Sequence, residues 1–221
     1  DEFHKHNIVN YLEFHRALAC RSIPYLLGVI PVHTSIAHME VLAELSVVAS
    51  FAMHGVAHDE RRPNEFPLHL TEGEVVDFLL SAKRRLESFL GSIGVYIPPH
   101  NVFDMRTVHA LRETGFWAVC GGPGTPDDLM IETRKNDKIS RIAYCHSEAP
   151  LEYGRSDELL ERGSVKQLTR NASLIAPNVF LTLHWPWEWN IGLMSLERYL
   201  DALLAAGVTF SPWTKDAICH A

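Results

Sequence analysis

Residues 51–60 read FAMHGVAHDE and set His54 and His58 four apart, directly after an apolar run with β-strand character. Two neutral imidazoles and one carboxylate make a three-ligand set for Zn²⁺ that keeps a position for water, and such an ion lowers the water's pKa towards about 7. That is a nucleophile at neutral pH. Taken alone, an HxxxH with no glutamate after it more often describes two histidines sharing a face than two ligands, so the remaining chemistry must be sought elsewhere in the chain. A carbonyl under attack develops an oxyanion, which calls for an N–H donor. In PPHN, residues 98–101, neither proline has an N–H, so the first donor belongs to His100. Loss of an amine needs a proton, and His184 in TLHWPWEWN is suited to give it.

These residues need a scaffold that brings them to one place. Short β-branched or aromatic runs alternate with longer stretches of helical periodicity, which predicts an α/β fold. The runs expected as strands are 24–31, 47–53, 94–98, 116–120, 140–145, 178–183 and 207–211, seven in all. The clearest helix begins at Thr71. Thr71 and Glu74 form a capping box, and Val75, Leu79, Ala82, Leu86 and Phe89 make one apolar stripe. Residues 7–19, 102–114, 157–170 and 194–206 carry weaker helical patterns. In β/α barrels the C-terminal ends of the strands carry the chemistry. Here those ends deliver Pro31 and His33, then His54 and His58, then Pro99, His100 and Asn101, then Gly121 and Gly122, then His146, then His184 and Trp185, and finally Trp213.

In this order three segments resemble the polysaccharide deacetylase (NodB-like) family of carbohydrate esterases. HGVAH resembles its HxxxH metal motif. YIPPHNVFDMRTVHALRETGF resembles its proline-rich groove motif and following helix, and VFLTLHW its closing Leu-x-His motif. The resemblance covers roughly half of the chain. It implies a distorted (β/α)7, TIM-like barrel, whose first strand would lie partly upstream of residue 1. It also implies a divalent metal ion, Zn²⁺ for preference, held by Glu2, His54 and His58. Asp1 takes the place of the catalytic base, His100 supplies the oxyanion donor and His184 the proton. Pro99, Asn101 and Trp185 line the substrate groove. The family has Asp-Asp where this chain has Asp1-Glu2, and if an aspartate precedes Asp1 the two roles move by one. The aspartate that tunes the closing histidine has three candidates, Asp127, Asp128 and Asp157.

Composition limits the alternatives. A chain of 221 residues with 47% apolar content is expected to form one domain, 1–221. A net charge of −7 with scattered basic residues argues against nucleic acid or anionic lipid as a partner, and no apolar stretch reaches the roughly 18–20 residues of a membrane span. Cys20, Cys120, Cys145 and Cys219 lack a CxxC spacing, so a reducing, cytoplasmic compartment is the expectation. The charged run Asp59–Arg62 reads as a solvated surface and NAS at Asn171 as a chance glycosylation pattern. The sequence therefore reads as a metal-dependent hydrolase that removes an acetyl group from an N-acetylated sugar or polysaccharide, or from a related amide. Its competitors are a carbohydrate-binding barrel without turnover and an amidohydrolase for a small non-sugar amide.

Overall fold

The structure, a computed structural model, describes residues 8–59, 61, 64–121, 143–148, 180–181 and 193–215. They group into two compact units, one spanning Leu26–His146 and the other combining the described residues of 6–25 and 147–221.

In the larger unit, parallel strands are built from nearly continuous apolar runs, as strands covered on both faces require. Strand β1 (Tyr25–Val29) neighbours β2 (Ala49–His54). β2 pairs in parallel with β3 (Val95–Ile97), β3 with β4 (Ala118–Gly121), and β4 with β5 (Ala143–Glu148). The register sets Met53 opposite Tyr96 and His54 opposite Ile97. Because the strands are parallel and in this register, the loops that leave β2 and β3 emerge at the same end of the sheet. At that end Gly121 of β4 stands opposite His146 of β5.

Helix α3 (Glu72–Leu90) forms as the capping box predicts. The Thr71 hydroxyl accepts from the Glu74 N–H at 3.3 Å, and the Glu74 carboxylate accepts from the Thr71 N–H at 2.7 Å. Val75, Leu79, Ala82 and Leu86 are buried as its apolar stripe, whereas Phe89 is only half-buried. α3 packs against α2 (Ile36–Ala43) and α4 (Met105–Glu113). The sequence reading missed α2, which is one cap and two turns long. Ser35 caps it by accepting from the His38 N–H, and Met39 and Leu42 are its buried face.

In the smaller unit α1 (Ile8–Ala19) packs on α5 (Leu193–Ala205), and Arg21 grips Asp201 with two hydrogen bonds of 2.6 and 3.0 Å. Ser147 and Glu148 at the end of β5 pair in parallel with β6 (Phe180–Leu181). One expectation is corrected here. Residues 208–214 are irregular rather than a strand over 207–211. Gly207, at φ +81°, closes α5 in a Schellman motif, with the Val208 N–H on Leu203 O and the Gly207 N–H on Leu204 O. The four residues left before Pro212 find no ladder partner among the described residues. The helix expected over 157–170 lies outside the described residues.

Candidate active site

His54 is the last residue of β2 and is 4% exposed. Its Nδ1 lies 3.0 Å from the carbonyl oxygen of Ile97, the last residue of β3. A carbonyl only accepts, so Nδ1 carries the proton and Nε2 becomes the lone-pair nitrogen of the neutral ring. A backbone carbonyl on one ring nitrogen is how metal-ligating histidines are commonly oriented. Gly28 of β1 makes the space: a Cβ there would come within 3.0 Å of the His54 Cβ and 3.1 Å of the Ile97 Cδ1.

The His58 ring lies beside that of His54, with centroids 4.8 Å apart, and the His100 ring lies beside His58 at 4.7 Å. The two loops thus bring three imidazoles together. The backbone is bent for this purpose: Gly55, His58, His100 and Asn101 all have positive φ, at 63°, 48°, 54° and 59°. Such a conformation costs a non-glycine residue about 1–3 kcal/mol, and clusters of it mark binding and catalytic loops. At Gly55 a side chain is also excluded by contact, because a Cβ would come within 2.5 Å of the Pro99 ring and 2.8 Å of both Glu65 oxygens.

After β3, Pro98-Pro99 leads the chain into two overlapping tight turns over residues 98–102, with His100 in the left-handed region at φ 54° and ψ 14°. The Asn101 N–H donates to Pro98 O and the Val102 N–H to Pro99 O, whereas the N–H of the exposed His100 meets no carbonyl among the described residues. The same residue carries the imidazole that lies beside His58.

The sequence reading overlooked Glu65. Its Oε1 accepts from three consecutive amides, Val56 at 2.7 Å, Ala57 at 2.7 Å and His58 at 3.1 Å, and its Oε2 accepts from the Tyr96 hydroxyl at 3.0 Å. Hydrogen bonds to a charged group each contribute about 1.5–3 kcal/mol where water is largely excluded, so this carboxylate holds the HGVAH loop. Tyr96 is 1% exposed; burial, and then the neighbouring Glu65 charge, push its hydroxyl well above the usual range and keep it a donor. Glu65 is itself fixed from α4. The Arg106 guanidinium donates to the carbonyls of Phe66 and Leu70, at 3.3 and 2.6 Å, and pairs with Asp104 at 2.6 Å. Asp104 caps α4 by accepting from the Thr107 N–H. Burial would raise the Asp104 carboxyl, but the Thr107 N–H and Arg106 outweigh it and hold the carboxyl below its ordinary range.

Of the residues expected to bind or react, the structure brings together His54, His58, Pro99, His100 and Asn101. Asp1, Glu2, His184 and Trp185 lie outside the described residues, as do Asp127, Asp128 and Asp157. Among the described residues no group of three or more His, Cys, Asp or Glu is arranged to hold a metal ion. The donor chemistry nevertheless fits one. His54 is tautomerically set with Nε2 as its lone-pair nitrogen, and His58 stands beside it. In the charged run the Arg61 side chain is 93% exposed, whereas Asp59 is half-buried and accepts from the Arg61 N–H at 3.0 Å.

No protein-family model and no curated protein matches the sequence. Solved structures do. A family 4 acetyl xylan esterase from Clostridium thermocellum, in complex with a cobalt ion, matches over 96% of this chain and 85% of its own, with a TM-score of 0.61 at 8% identity. A polysaccharide deacetylase from Bacillus cereus matches over 98% of this chain and 90% of its own, with a TM-score of 0.59 at 12% identity. A CE4 family pseudoenzyme from Bacillus anthracis matches over 99% of this chain and 63% of its own, with a TM-score of 0.61 at 12% identity. The fold of this chain is thus the α/β fold of the CE4 polysaccharide deacetylases, as its motifs led one to expect.

Proposed function

We propose that this chain is a metal-dependent hydrolase that releases acetate from an N-acetylated sugar or polysaccharide. The observation that carries the reading is the meeting of His54, His58 and His100 where β2 and β3 end, with the His54 proton committed to the Ile97 carbonyl. His54 and His58 would hold the ion through their imidazoles, with the carboxylate of Glu2 or Asp1 as the third ligand. Zinc suits that donor set. When bound, the ion supplies Lewis acidity and a water of lowered pKa.

The rest is the work of the chain. The His100 N–H, held rigid behind two prolines, donates to the oxygen of the attacked carbonyl. Asn101 and Pro99 form the groove wall beside it, with Trp185 offering an aromatic face to a sugar ring. The remaining acidic residue of the Asp1-Glu2 pair accepts a proton during attack, and His184 gives one to the departing amine. The acetyl xylan esterase and the deacetylase of the same fold support this reading by the names they carry.

A second reading is a carbohydrate-binding barrel without turnover. It is favoured by the pseudoenzyme of the same fold and by the change from Asp-Asp to Asp1-Glu2. Metal content does not separate the two, since an inactive barrel can keep its ion. Acetate released from N-acetylated sugar oligomers by the zinc-loaded chain does: release that stops on chelation supports the hydrolase, and its absence supports the second reading.

A further inference from the structure

We propose that Glu65 is the positioning residue of this centre: it sets the HGVAH loop in its ligating shape before any metal arrives, and it is not itself a ligand. The inference rests on the metal-site reading above. Both oxygens of the carboxylate are already engaged. Oε1 takes the three amides of Val56, Ala57 and His58, and Oε2 takes the Tyr96 hydroxyl. Three successive N–H groups around one oxygen form an anion-holding concavity, here filled by the chain's own side chain. The last of those amides belongs to His58, whose left-handed backbone sends the ring beside His54. Without the carboxylate, three converging N–H dipoles repel one another, and the loop loses the acceptor that its amides share up to His58, which stands at φ 48°.

The other end of Glu65 is equally well supported. It sits at the start of residues 64–70, whose carbonyls at Phe66 and Leu70 are gripped by Arg106. The Asn64 amide reaches Asp104 at 3.4 Å, and the Phe66 N–H donates to Asn64 Oδ1 at 3.1 Å. Order thus passes from the capped start of α4 through Arg106 to Glu65, and from Glu65 to the loop that carries His58. Gly55 completes the arrangement, since any side chain there would strike the Glu65 carboxylate.

The test uses the full chain and Zn²⁺ alone as the probe, with two readouts: zinc affinity by competition with a chromophoric chelator, and amide hydrogen exchange in the metal-free protein. Loss of a group that orients a ligand commonly weakens metal affinity by about 10- to 100-fold, and Glu65→Ala is expected to fall in that range while exchange at Val56, Ala57 and His58 accelerates. Glu65→Gln keeps an accepting oxygen for the three amides and turns its NH₂ to the Tyr96 oxygen, so it should recover most of the affinity and of the protection. If Glu65→Ala does not fold, Tyr96→Phe carries the test. It removes only the hydroxyl that braces Oε2 and should weaken zinc in the same direction by a smaller factor. Glu65→Ala with unchanged affinity and exchange overturns the proposal. So does Glu65→Gln that binds zinc as weakly as Glu65→Ala with its amides still protected, for that is the behaviour of a ligand. A wild-type chain that takes up no zinc sinks the hydrolase reading instead, and exchange at the three amides then decides by itself whether Glu65 holds the loop.

Discussion

The proton on His54 Nδ1 is held by the carbonyl oxygen of Ile97 at 3.0 Å, across the register that pairs the last residues of two parallel strands. The sheet itself therefore selects the tautomer. In the metal-free chain at pH 7.5, nitrogen NMR is expected to show His54 as the neutral Nδ1–H form. A predominant Nε2–H form would remove the basis for its role as a ligand.

Gly28 gives a packing test of the same relationship. Alanine there must push against both the His54 Cβ and the Ile97 Cδ1. Overpacking of this kind typically costs about 1–3 kcal/mol, and because the displaced residue is His54, zinc affinity should fall together with stability. Gly73 is the control. A Cβ there meets nothing within 4 Å, and alanine in the first turn of α3 should be neutral or stabilising by up to about 1 kcal/mol. Thermal melts and zinc titrations of the two variants decide it.

Asp104 gives a pH dependence. Its folded carboxyl titrates below its ordinary value of 3.8, so between the two values the unfolded chain binds more protons and stability rises with pH. The contribution is present above about pH 4 and is lost as the pH falls through the folded value. Asp104→Asn can still cap α4 but loses the charge facing Arg106. It should cost on the order of 1 kcal/mol at neutral pH and flatten the acid limb of the melting curve. An acid limb unchanged in Asp104→Asn would assign that titration to other groups.

Much of this was legible in the sequence, and the parts that were not have a common cause. Thr71 and Glu74 announced α3 because a capping box is a side-chain signature at fixed spacing, and His54 and His58 stood out because imidazoles four apart are rare enough to notice. Glu65 did not. It lies next to a charged run, and its partners are backbone amides, which look the same for every residue type. Arg106 was hidden for the same reason, since it grips carbonyls. The left-handed pair His100-Asn101 was foreshadowed only by two prolines, which fix where the chain stiffens but not how it then turns. The strand expected over 207–211 failed because apolar alternation does not supply a neighbour to pair with.

His184 carries the proposed proton donation, and its role can be separated from ligation. His184→Ala should keep the metal yet lose about 10²- to 10⁴-fold in turnover of an N-acetyl sugar. A phenyl acetate, whose leaving group departs with little proton assistance, should lose far less. Loss of metal in this variant, or equal slowing of ester and amide, would reassign His184.

Acetate release by the zinc-loaded chain tests the account most directly. The full-length wild type, given N-acetylglucosamine oligomers, is expected to release acetate with multiple turnovers, to stop on addition of a chelator and to resume on addition of zinc. His54→Ala and His58→Ala should hold no zinc and release none. Wild-type protein carrying about one zinc per chain that leaves every N-acetylated oligomer intact would contradict the hydrolase account and leave a binding barrel in its place.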